Sequence, residues 1–276
     1  LSKAGLAAGP PRLGPSAGGQ AGAAAGFVGA MLLVQLTPAW AGLTAAALLI
    51  GLALFQQRAG RILLLTIASI LTGYWLSAWL GAWLRAESLT GFAEPARIAL
   101  SRLGLIGYVI PLSLLYICVK PDNSYLAAGR FGNIIYFPLV WRGIKDPVWR
   151  SLLISSAVVT VSFLFVIDFG QDRLLQILGY SVLFAGINAA LEEVVWRGYL
   201  LSRLVDLMGE LKGVLVCSAA FGFYHYSIGF PWAICILFGV LGIWLSGLAI
   251  RAQGLLPVFL LHFVMNILFG LSGMIF

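Results

Sequence analysis

The sequence predicts an all-α fold, a polytopic membrane bundle of about eight transmembrane helices, and three observations carry that expectation. Of the 276 residues 61% are hydrophobic and 10% charged, at a mean hydropathy of +0.99, which lies outside the range of water-soluble domains. The apolar residues gather in runs near the ~20 residues that a helix needs to cross the hydrocarbon core. Those runs are far longer than barrel strands and lack period-2 alternation, and only helices satisfy every backbone group within such a segment.

Residues 1–26 hold 7 Gly, 8 Ala and 3 Pro and no acids, so 1–30 is expected to be a disordered tail. Lys3 and Arg12 precede an apolar stretch ending at Ala39-Trp40-Ala41, in the manner of a signal peptide. Apolar character resumes from Gly42 to Phe55, which favours one long span over 31–55 instead. Further spans are predicted over 62–84, 103–119, 151–167, 175–200, 213–229, 231–250 and 255–276. The chain thus reads as one integral membrane domain, with four helices in 31–174 and four in 175–276. Between the second and third spans, 85–102 mixes Arg, Glu, Phe and Leu and reads as an interfacial amphipathic helix or a solvated loop. The longest connection, 120–150, interleaves cations with Tyr, Phe and Trp, as expected at lipid headgroups. No internal repeat supports an inverted-repeat transporter.

The 17 basic and 10 acidic residues leave a net charge of +7, which in a soluble chain would point to nucleic acid. Here the cations sit between apolar runs, so the expected partner is the lipid bilayer and not nucleic acid. Cys118, Cys217 and Cys235 lie inside apolar runs without pattern, which argues against a disulfide framework or a thiolate metal site. Heavy use of Arg, Ala, Gly and Leu points to a GC-rich bacterial genome, and hence to the inner (cell) membrane.

A charge at membrane depth is costly and functional by default. Eight of the ten acids fall outside the predicted spans or at their ends, and the other two are adjacent, Glu192 and Glu193. Both histidines of the chain, His225 and His262, lie in later spans. Residues at i and i+4 share a helix face while i and i+1 differ by ~100°. Glu193 can therefore pair with Arg197, and Glu192 turns to a neighbouring face with Asn188. His225 shares its face with Phe221, which would buttress it, and His262 shares its face with Asn266. The simplest arrangement is one polar pocket enclosed by three helices.

Glu192-Glu193-x-x-x-Arg197, Phe221-x-x-x-His225 and His262-x-x-x-Asn266, in this order on three late spans, resemble the three motifs of the CAAX protease and bacteriocin-processing (CPBP) family of intramembrane glutamic endopeptidases. The resemblance covers about 175–276 and shows no departure within the motifs.

Peptide hydrolysis needs an activated water, donors for the tetrahedral oxyanion and a proton for the leaving amine. Read from the residues, Glu192 is the general base and His225 holds the same water. The resemblance implies the same two groups, and implies that His262 and Asn266 form the oxyanion site. The Asn266 amide suits that role, since a neutral donor in a dry pocket can be worth ~3 kcal/mol in the transition state. Glu193 and Arg197 are a structural or substrate-positioning pair. The expected partner is a membrane-associated peptide: a C-terminal prenyl-cysteine motif, a bacteriocin leader or a C-terminal sorting helix. A bacterial source disfavours the first.

Taken singly, His225, His262 and Asn266 would be interhelical hydrogen-bonding groups, and Gly239, Gly242 and Gly247 close-packing positions. No cofactor is expected. The alternative is a zinc protease, with Glu192, His225 and His262 as ligands around an open position, although the H-E-x-x-H spacing is absent. A proton-coupled transporter would place polar groups at several depths, whereas the first four spans carry only scattered Ser, Thr and Tyr. A non-catalytic immunity protein that keeps the pocket is the third alternative.

Orientation follows from basic residues in alternate loops. One side holds six and the other ten, the latter including Lys120, Arg130, Arg142, Lys145 and Arg150. The richer side is predicted cytoplasmic, with both termini outside and substrate presented from the cytoplasm.

Overall fold

The computed structural model describes residues 17–276. The described residues are 76% helical, in agreement with the all-α expectation. Among the described residues five helical segments are long and apolar enough to cross a membrane: Gly19–Leu36, Arg58–Ser88, Glu94–Cys118, Leu174–Met208 and Trp232–Ala252. Shorter apolar helices cover Trp40–Ala53, Val148–Phe163 and Leu256–Leu271. Five full-length segments and three shorter apolar helices thus stand where eight spans were expected.

The N-terminal region departs most from expectation. Helix α1 (Ala17–Leu36) occupies the second half of the predicted 1–30 tail, while residues 1–16, with the signal-like Lys3 and Arg12, lie outside the described residues. Its Ala23, Phe27, Met31 and Val34 fall on one helical stripe and are all buried, so an alanine-rich segment gains a packed face that its composition does not announce. The predicted 31–55 span is split at Pro38, which has no N–H to donate and disfavours helix in the residue before it. Helix α2 (Ala39–Ala53) then turns back against α3 (Arg58–Trp83). Gln20 meets Lys212 and Gln35 meets Ser227, so α1 runs parallel to the helix that carries His225. The start of α1 therefore lies at the basic end of the bundle, while the N-terminus that the charge count assigned to the far side lies outside the described residues.

The stretch 85–102 contains a turn over 89–93 and a helix that is continuous with the next span. A short wide turn, Leu84–Ser88, ends α3, and α4 (Glu94–Ser101) runs through the tight turn Arg102–Leu105 into α5 (Ile106–Cys118). Gly104 and Gly107 let this segment lie directly on the α3 backbone, since a Cβ at Gly104 would stand 2.8 Å from the Gly81 nitrogen.

The 120–150 connection contains an antiparallel hairpin that the sequence did not announce, β1 (Ile134–Pro138) paired with β2 (Gly143–Pro147). Trp244 packs edge-on against Phe137 at 5.8 Å, and Val140 fills the space left by Gly247. Asp206 accepts from the Asp122 and Asn123 backbone, and Arg130 N–H donates to the Ala252 carbonyl. The whole connection is thereby fastened to one end of the bundle.

Helix α6 (Val148–Phe163) leads to a long helical segment made of α7 (Leu174–Glu193), a wide π-type stretch Val194–Leu201 and α8 (Ser202–Met208). Gly209, at φ +82°, ends it and reverses the chain into α9 (Glu210–Tyr224). A single tight turn, His225–Ile228, follows, and then α10 (Trp232–Ala252) and α11 (Leu256–Leu271). Helices α7 and α11 pack together, as do α9 and α10. The second contact is close because a Cβ on Gly222 would strike the Gly239 backbone at 2.7 Å, and Gly242 faces Ser218 and Phe221.

Candidate active site

Glu192 and Glu193 end α7 where the helix widens, and both are buried. Adjacent positions on a helix diverge by ~100°, and the two carboxylates accordingly meet different partners. Glu193 Oε1 accepts from Arg197 Nη1 at 2.8 Å, as i to i+4 spacing predicts, and also from His262 Nδ1 at 2.6 Å. The Arg197 guanidinium, 0% exposed, lies over the Phe221 ring at 4.3 Å. The sequence missed the His262 bond, which joins α7 to α11 across 69 positions.

Because a carboxylate can only accept, His262 donates from Nδ1 and turns Nε2 toward Glu192 Oε2, 3.7 Å away. His225 is held in a complementary way. Its Nδ1 donates to the Phe221 carbonyl at 2.7 Å, which leaves Nε2 of the neutral ring as an acceptor. Phe238 and Phe221 clamp the ring at centroid distances of 4.3 and 4.7 Å, so Phe221 buttresses His225 as expected.

Glu192 Oε1 accepts from Arg102 Nη2 at 2.9 Å, and Asn188 Oδ1 accepts from Arg102 Nε at 2.6 Å. The shared face of Asn188 and Glu192 is thus occupied by a cation from the N-terminal half, a contribution absent from the sequence reading. One signal pointed to it: Arg102 has no acid within one helical turn, its i±3 and i±4 neighbours being Ala99, Leu105, Ile98 and Ile106.

Glu192 Oε2 and Asn266 Nδ2 are buried and find no hydrogen-bond partner among the described residues. Glu192, His225, His262 and Asn266 all line one cavity of about 680 Å³, as the sequence expected of one pocket, whereas Glu193 and Arg197 stand behind its wall. This volume falls within the ~300–1,000 Å³ typical of ligand sites. Tyr74, Tyr108 and Tyr224 add further polar groups to the wall. The cavity extends past Arg85, Ser227, Gly229 and Met274, which lie at the helix ends opposite the hairpin. Among the described residues no group of three or more His, Cys, Asp or Glu is arranged to hold a metal ion.

Apolar helices around a buried carboxylate, two oriented imidazoles and a free amide define a membrane protein with a polar site inside its bundle. Residues 171–268 match the family model described as type II CAAX prenyl endopeptidase Rce1-like, and the match takes in Glu192, Glu193, Arg197, His225, His262 and Asn266. Over this segment the chain is similar to CAAX-type intramembrane proteases, consistent with the CPBP family that the three motifs resemble. No curated protein and no solved structure matches the chain.

Proposed function

We propose that this protein is a glutamic intramembrane endopeptidase that cleaves a membrane-associated peptide with a water activated by Glu192 and His225. The observation that carries the reading is that, of the unpartnered buried atoms on the wall of one cavity, Glu192 Oε2 and Asn266 Nδ2 are a carboxylate oxygen and an amide donor. A buried polar atom without a partner costs ~1–3 kcal/mol. That cost is offset in function if one atom accepts a proton from water and the other donates to an oxyanion.

In this mechanism Glu192 Oε2 takes one proton from the water while His225 Nε2 accepts a hydrogen bond from the O–H that remains, and the oxygen attacks the scissile carbonyl carbon. The C–O bond forms as the carbonyl π electrons move to oxygen, where Asn266 Nδ2 donates to the new oxyanion. Glu193 aims His262 at the same space. Collapse of the intermediate expels the amine, which takes the proton held by Glu192.

The cavity mouth bears on the source of the peptide. It lies at the end away from Lys120, Arg130, Arg142 and Lys145, so by the positive-inside rule it faces the non-cytoplasmic side. This favours presentation from the outer face of the cell membrane over presentation from the cytoplasm. A prenylated cytoplasmic C-terminus fits this less well than a leader or sorting helix that has already crossed.

Glu192→Gln and His225→Ala, purified in detergent and assayed with membrane peptides, should each lose cleavage while retaining the wild-type elution profile and melting transition. Undiminished proteolysis by Glu192→Gln would place the base elsewhere.

A further inference from the structure

We propose that Arg102 is a positioning residue for Glu192, holding Oε1 through Nη2 so that Oε2 alone is presented to the water. The inference rests on Glu192 being the base.

Arg102 reaches the site from the turn between α4 and α5, outside the segment 171–268 that carries the motifs. Its planar guanidinium bonds two acceptors one helical turn apart, Asn188 Oδ1 at 2.6 Å through Nε and Glu192 Oε1 at 2.9 Å through Nη2. A hold at two points fixes the plane of the guanidinium and so the direction from which Nη2 meets Glu192 Oε1, which a point charge does not. The side chain is only 17% exposed, and Phe184 lies against it with its centroid 5.8 Å from Cζ. The backbone beneath is fixed as well, because Gly104 and Gly107 place the turn on the α3 backbone without an intervening side chain. Glu192 then has one committed oxygen and one, Oε2, without a partner among the described residues.

A carboxylate free to rotate presents either oxygen at a changing angle, and misplacement by ~1 Å at a reacting group can cost ~10²-fold in rate. Arg102→Ala is therefore expected to lower kcat by about 10²-fold with KM little changed. Added guanidinium ion should recover part of that loss where sodium does not. Arg102→Lys keeps the charge but not the fork, and should also turn over slowly, which keeps the test open if the alanine variant folds poorly. Infrared difference spectra supply a readout independent of turnover: the Glu192 carboxylate stretch should shift in Arg102→Ala, and the shift should vanish when Glu192→Gln is added.

Wild-type kcat in a folded Arg102→Ala, a defect in KM alone, or an unmoved carboxylate band would each overturn the proposal while leaving the base assignment standing if Glu192→Gln is inactive. Full activity of Glu192→Gln would overturn the base assignment and this role with it.

Discussion

Glu193→Gln is the most informative single change, because glutamine keeps the shape and an acceptor for His262 and removes only the charge. Arg197 is then left 0% exposed without its salt-bridge partner, and its Nε and Nη2 already lack partners among the described residues. Opposite charges about 4 Å apart attract by about 4 kcal/mol at an effective dielectric near 20. Breaking a buried pair by removing one partner costs about 3–5 kcal/mol in practice. The Phe221 ring beneath the guanidinium remains, so the lower part of that range is expected. Arg197→Met should cost less, because Glu193 keeps the His262 donor and a carboxylate can take up a proton where a guanidinium cannot shed one. The double variant should be more stable than Glu193→Gln alone by at least about 1 kcal/mol, since it no longer buries a lone charge. Reversible unfolding in mixed micelles of rising SDS fraction measures all four proteins. A cost below about 1 kcal/mol for Glu193→Gln, or a double variant as costly as the sum of the singles, would refute the reasoning.

Three further outcomes follow from the site. Asn266→Ala should lower kcat by about 10²–10³-fold with KM nearly unchanged if its amide meets the oxyanion only in the transition state, and a purely KM effect would reassign it to substrate binding. Activity should survive strong chelators, whereas loss on chelation with recovery by zinc would move Glu192, His225 and His262 into a metal mechanism. A reporter fused at Lys145 should read cytoplasmic, with a peptide accessible only from the opposite side being cleaved; a periplasmic signal there would reverse both the topology and the side of entry.

The sequence by itself determined whatever the α-helix repeats locally. Long apolar runs imply helices, and i to i+4 spacing paired Glu193 with Arg197, seated His225 against Phe221 and turned Glu192 to the face of Asn188. Pro38 was equally legible as a break, but a hydropathy count over 31–55 passes across it because a proline costs little in average polarity. Tertiary structure alone decided which helices meet. Glu193 finds His262 at a separation of 69 residues and Glu192 finds Arg102 at 90, pairings that depend on how closely backbones approach at Gly104, Gly107 and Gly222. The hairpin over 134–147 is held by partners from α10 and its end, and the cavity mouth is set by where several helices end together. Neither has a local period, since such contacts arise from packing between segments and not from the geometry of any one of them.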